Sequence, residues 1–102
     1  MVQDARTISI QGFSYDGAGP DAYFLVGKGD PNAKGRKIPD ENGSYEVLQG
    51  YDKQDIELLL PADLTWKDVD YLSVFCIAFN HNFGYIQIPK NIEFVEYQQV
   101  LV

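Results

Sequence analysis

Cysteine, histidine and tryptophan each occur once in these 102 residues. A single cysteine excludes an intrachain disulfide, so packing alone must hold the fold. Such usage fits a reducing compartment and equally an extracellular domain with one special thiol. One histidine leaves conventional acid–base catalysis to the carboxylates. No serine–histidine–acid order, CxxC pair, phosphate loop or dinucleotide fingerprint is present. The chain therefore reads as non-catalytic, unless redox chemistry occurs at its one thiol. Bases are scarce too, 8 against 15 acids, for a net charge of −7. A phosphate backbone repels such a surface, which argues against nucleic acid as a partner. The local group Lys28, Lys34, Arg36 and Lys37 reads as a solvated loop. The longest apolar run is about eight residues, against about 20 for a membrane span. Met1–Arg6 lacks the apolar core of a signal peptide, so an exported protein would carry its signal elsewhere.

What is present is a folding composition, 45% hydrophobic and 14% aromatic. The length suits one domain with its own core. Turn signals recur at short intervals, from Gly12 and the Asp16–Asp21 stretch through Gly29–Asn32 and Pro39–Gly43 to Gly50, Pro61, Asn80–Asn82 and Pro89. Between them lie short β-rich runs: Thr7–Ile10, Ala22–Val26, Tyr45–Leu48, Ile56–Leu60, Leu72–Phe79 and Tyr85–Ile88. The pattern predicts an all-β domain, an antiparallel β-sandwich or small barrel-like body over residues 1–90. One short helical turn is expected near 65–69, where Thr65 and Asp68 have the spacing of a capping box. Leu72–Phe79 is almost continuously apolar and reads as a central strand covered on both faces. Alternation there sets Leu72, Val74 and Cys76 against Ser73, Phe75 and Ile77. Residues 91–102 form a tail or an extra edge strand, whose apolar end risks pairing with the sheet or with another copy.

Three places carry candidate chemistry. The stretch Asp16-Gly17-Ala18-Gly19-Pro20-Asp21 is a shaped turn with a carboxylate at each end, and reads as a binding loop. Its acids either ligate calcium or, by preference, accept backbone amides as Asx turns do; no metal is expected. Cys76 is either a small core hydrophobe or a redox thiol, and the latter needs a nearby cation or metal to favour thiolate. His81 is a possible accessory in the turn after it. Five extended residues span roughly 16 Å, which argues against direct contact with Cys76. Tyr15, Tyr23, Tyr45, Tyr51, Tyr71, Tyr85 and Tyr97, with Trp66, either pack the half-buried strands or stack on sugar rings.

The ordered blocks resemble a known family. They run from Thr7-Ile8-Ser9-Ile10 and Gly12-Phe13-Ser14-Tyr15-Asp16-Gly17 into Gly19-Pro20-Asp21-Ala22-Tyr23-Phe24 and Gly27. They continue with Leu58-Leu59-Leu60-Pro61, Leu72-Ser73-Val74-Phe75-Cys76, Asn82-Phe83-Gly84 and Ile86-Gln87-Ile88-Pro89. In this the chain is similar to the DM-thirteen domain family, whose members often stand beside haem- or sugar-binding DOMON domains. Family members usually have a further segment ahead of Thr7 and tryptophan near the positions of Leu25 and Phe75. The resemblance implies a β-sandwich-like extracellular or cell-surface module of a matrix or cuticle protein, with a nuclear, spindle-associated placement as the alternative. It implies a protein or polysaccharide partner, chitin included. It also implies a redox role for Cys76 as the alternative function, with haem or copper involved only in that case.

Overall fold

The computed structural model of this chain describes residues 4–89. The expectations for the tail and for Tyr97 lie outside the described residues. Six strands form: β1 (Thr7–Tyr15), β2 (Ala22–Gly27), β3 (Arg36–Ile38), β4 (Tyr51–Leu59), β5 (Tyr71–Cys76) and β6 (His81–Gln87). One sheet pairs β1 with β4, and the other runs β3-β2-β5-β6, all contacts antiparallel. The two do not close into a barrel. The sandwich expected from the turn spacing is the architecture found.

Hydrophobic alternation explains the layering. Ile8 from β1 and Ile56 and Leu58 from β4 face Phe24, Val26, Ile38, Leu72 and Val74 from the larger sheet, forming the main core. Each fully buried side chain of this kind contributes roughly 1.5–3 kcal/mol relative to exposure. The opposite face of the larger sheet carries a smaller cluster, Leu25, Tyr71 and Phe75, with Tyr23, Ala33 and Ile77 against it. Ala33 comes from the connection between β2 and β3. Every residue of β5 is therefore buried, as its almost continuously apolar sequence requires, Ser73 included.

Several boundaries differ from the sequence expectation. Tyr45–Leu48 is not a strand; Tyr45 is exposed, and Leu48 donates one backbone bond to Ala22 at 2.9 Å. The strand expected at Ile56–Leu60 is the second half of β4, which begins earlier, at Tyr51, with a first half that is polar because it faces solvent. β3 carries Arg36 and Lys37 and is too short and charged to read as a strand. β1 runs five residues past Ile10, through an irregularity where Gly12 takes φ +66° and donates to Asp55 Oδ1 at 2.9 Å. β5 stops at Cys76, and the chain reverses through Ile77–Asn80, with Asn80 at φ +51° donating to the Ile77 carbonyl. The helical turn is a 3-10 turn at Trp66–Asp68, started by the Asp68 carboxylate, which accepts the Thr65 amide at 2.8 Å and its hydroxyl at 3.2 Å. It drives Trp66 fully into the main core.

The packing also ties stability to alkaline pH. Burial raises the phenol pKa of Tyr15, Tyr51 and Tyr71 above 10.0; for Tyr51 the hydrogen bond to Glu41, at 2.7 Å, acts in the same direction. These phenols stay neutral in the fold while the unfolded chain ionises. Their contribution is complete below pH 10 and is lost as pH rises through the folded values. Circular dichroism during alkaline titration should show unfolding that begins above pH 10, with Tyr51→Phe shifting the midpoint upward.

Candidate functional site

Cys76 ends β5, and its Cα stands opposite Ala22 of β2 and His81 of β6. The residue is fully enclosed, at 0% exposure. The Asp16–Asp21 loop brackets it, because that loop leaves β1 at Tyr15 and enters β2 at Ala22. The two features singled out by sequence therefore form one place.

The loop is tied down at four points. Asp16 Oδ1 accepts the Ala18 amide at 2.9 Å, the Asx turn preferred over a calcium site. Gly17, at φ +76°, lies against Gly50; a Cβ there would come 2.8 Å from the Gly50 nitrogen. The Gly19 amide donates to the Tyr15 hydroxyl at 2.9 Å. A Cβ on Gly19 would meet that hydroxyl at 2.6 Å and the Phe83 ring at 2.7 Å, so the crossing admits only glycine. The fourth tie leaves the loop. The Asp21 carbonyl accepts from Ile77 at 3.1 Å, and its carboxylate accepts the Ala78 amide at 3.0 Å. Asp21 thus latches the loop to the turn that follows β5, whereas an Asx turn within the loop was expected. The same carboxylate raises the Tyr23 phenol pKa, first through a hydrogen bond from it. Lys37 Nζ stands 3.7 Å over the Tyr23 ring.

Aromatic rings lead outward from this enclosure. Tyr15 is buried, and its pKa is raised first by burial and further by the nearby Asp16 carboxylate, against the Gly19 amide, which acts the other way. Phe83 packs on Tyr15 at 5.3 Å between centroids, and His81 meets Phe83 edge-on at 4.7 Å. His81 is exposed, as expected, but opens β6 rather than occupying a turn. The reversal at Ile77–Asn80 removes the 16 Å separation that extended chain would impose. Phe83, which sequence reasoning did not single out, is the ring that joins them. It lies at the irregularity between Val74 and Phe75 of the partner strand, which turns it toward Tyr15. An apolar groove of about 250 Å³ runs beside it between β1 and β6, over Phe24, Leu72 and Val74. The edge strand β6 bears no charged residue apart from the titratable His81, and Phe83, Tyr85 and Ile86 are exposed along it. Among the described residues, no group of three His, Cys, Asp or Glu converges as a metal site.

A sequence model described as "Electron transfer DM13" matches residues 1–101. The chain belongs to the DM13 family. It is 43% identical over 93 residues to Protein Skeletor, isoforms B/C, of Drosophila melanogaster, covering 90% of this chain and 12% of that protein. The match to isoforms D/E is also 43% over 93 residues, and covers 6% of that longer protein. The DM13 chain thus spans a small part of the curated relatives it matches. No solved structure matches it. No described helix of this DM13 domain is long and apolar enough to cross a membrane.

Removing the latch should expose the thiol. Asp21→Ala is expected to cost about 1–3 kcal/mol of global stability, since the Ala78 amide loses its carboxylate acceptor while the Ile77 amide keeps the main-chain carbonyl. If local opening becomes easier by about 1.4 kcal/mol, native-state alkylation of Cys76 rises roughly tenfold. Asp21→Asn keeps an acceptor and should lie nearer the parent protein. Equal labelling of parent and Asp21→Ala in a timed alkylation assay would contradict the latch.

Proposed function

We propose that this DM13 domain is an electron-transfer accessory module that docks a protein partner through β6. In this reading Cys76 is the electron donor, and Tyr15, Phe83 and His81 carry the electron to the surface. The observation that carries the proposal is the unbroken ring sequence from the enclosed thiol's neighbour to exposed imidazole, with steps of 5.3 and 4.7 Å. The family description supports it. One-electron oxidation of Cys76 takes an electron and a proton from the S–H group. The electron goes to a one-electron acceptor on the partner, the proton to water, and a thiyl radical remains. Thiol–disulfide exchange suits the site less well, because the sulfur must be attacked in line and Cys76 has no exposed surface. Cys76 is fully enclosed, and with His81 it makes two donors where a copper site takes three or more, which supports placing any haem or copper on the partner rather than on this domain.

Interaction and electron transfer then share one face. The interaction module expected from sequence is retained, but its docking surface moves from the acidic loop to β6. Asp16 and Asp21 are committed to the domain's own amides, while Phe83 at 40%, Tyr85 at 55% and Ile86 at 41% exposure offer apolar contact. No observation singles out chitin or another polysaccharide. The kinship with Skeletor supports an exported protein; nothing in the comparisons favours a nuclear placement.

Flash-generated ruthenium(III) polypyridyl oxidant, with rapid-freeze electron paramagnetic resonance, tests the relay. The parent protein should yield a radical on Cys76 or Tyr15, and Phe83→Leu should slow its appearance. Cys76→Ser should leave only the phenoxyl signal. Radicals confined to exposed Tyr45 and Tyr85, formed equally fast in Phe83→Leu, would overturn the reading.

A further inference from the structure

The chain holds five asparagines, and one of them, in Asn42-Gly43-Ser44, opens an N-x-S/T triplet. That triplet is the acceptor pattern for N-linked glycan transfer, which requires a surface position on an exported protein. The turn after β3 meets the first requirement. Asp40 organises it: its Oδ1 accepts the amides of Asn42 and Ser44, both at 2.9 Å, and its carbonyl accepts that of Gly43 at 3.0 Å. Gly43 supplies the positive φ of +80° that closes it. With Asp40 meeting these backbone donors, the exposed Asn42 makes no hydrogen bond from its carboxamide among the described residues. Asn32 and Asn82 differ, because their side chains hold their own turns together.

The surroundings suit a sugar. A mainly polar groove of about 380 Å³ lies beside Asn42, with Glu41, Gln49 and Gln54 along it as hydrogen-bonding partners. Tyr45, three residues on, is 52% exposed, a flat face against which a pyranose ring packs. β3 forms the edge of its sheet opposite β6, and Asn42 does not line the groove at Phe83. A glycan here leaves the docking strand free.

We propose that Asn42 is an N-glycosylation site whose first N-acetylglucosamine lies in this groove, an inference that rests on the exported placement above. In the transfer, Asn42 Nδ2 forms a bond to C1 of the first sugar of a polyisoprenyl-pyrophosphate-linked oligosaccharide. The C1–O bond breaks, the polyisoprenyl pyrophosphate departs, and the amide nitrogen gives up one proton. Ser44 supplies the hydroxyl that the transferase reads, and its Oγ, accepting only the Glu46 amide at 3.1 Å, carries no core contact.

The test is intact-glycopeptide mass spectrometry on the full-length protein from the cells that make it. Intact glycopeptides are required because an Asn–Gly bond deamidates spontaneously and mimics enzymatic glycan release. The Asn42 peptide should carry an N-acetylglucosamine-based glycan, and Asn42→Gln and Ser44→Ala should each abolish it without moving the thermal unfolding midpoint beyond the loss of the glycan itself. An unmodified Asn42 peptide, in a protein that bears N-glycans elsewhere, overturns this inference alone. A protein retained in the cytosol with no N-glycan at all overturns the exported placement as well.

Discussion

Asp21 is the residue on which this architecture turns. One end of the loop is fixed by the Tyr15 hydroxyl, which takes the Gly19 amide; the other is fixed by Asp21, which takes amides from beyond the end of β5. Without that second tie, the loop between β1 and β2 would be held to its own sheet edge alone. With it, the connection from the smaller sheet to the larger one is fastened to the end of β5, beside Cys76.

The enclosure has a second consequence, for the aromatic residues. Gly19 can pass between the Tyr15 hydroxyl and Phe83 only because it has no Cβ. That close passage lets Tyr15 sit buried with its hydroxyl satisfied, and Phe83 lie over it. The β6 irregularity then brings His81 onto the other edge of Phe83. The result is a sandwich that is closed around its sulfur yet open along one edge, where apolar side chains face solvent on a strand without formal charge. The other edge of that sheet, β3, is guarded by Arg36 and Lys37, and Arg36 forms a two-pronged pair with Asp63 at 2.7 and 2.8 Å. Edges with charge resist pairing, and among the described residues of the larger sheet β6 lacks that guard.

Sequence carried much of this, unevenly. Ala22–Val26 and Leu72–Cys76 were legible because both faces of each are largely buried, so no charged residue interrupts either run and Ser73 is the one small polar residue in the second. Tyr45–Leu48 looked the same locally but lacks a partner strand, and β-propensity without pairing makes no strand. β3 and the first half of β4 were hidden by their charges, which belong to solvent-facing positions. At the site, the loop's internal Asx turn at Asp16 could be read from spacing; Asp21's bond to Ala78 spans 57 positions and could not. The extended-chain distance for Cys76 and His81 failed because Asn80, tolerant of positive φ, lets the chain reverse before His81. Asparagine on both sides of His81 was the available sign.

Native-state amide hydrogen exchange addresses the enclosure most directly. If Asp21 holds the loop across the sheet end, the Ile77, Ala78 and Gly19 amides should be slowed as strongly as the ladder amides of β5. Exchange of these three at the rate of free peptide, with β5 still protected, would mean that the loop does not close on Cys76.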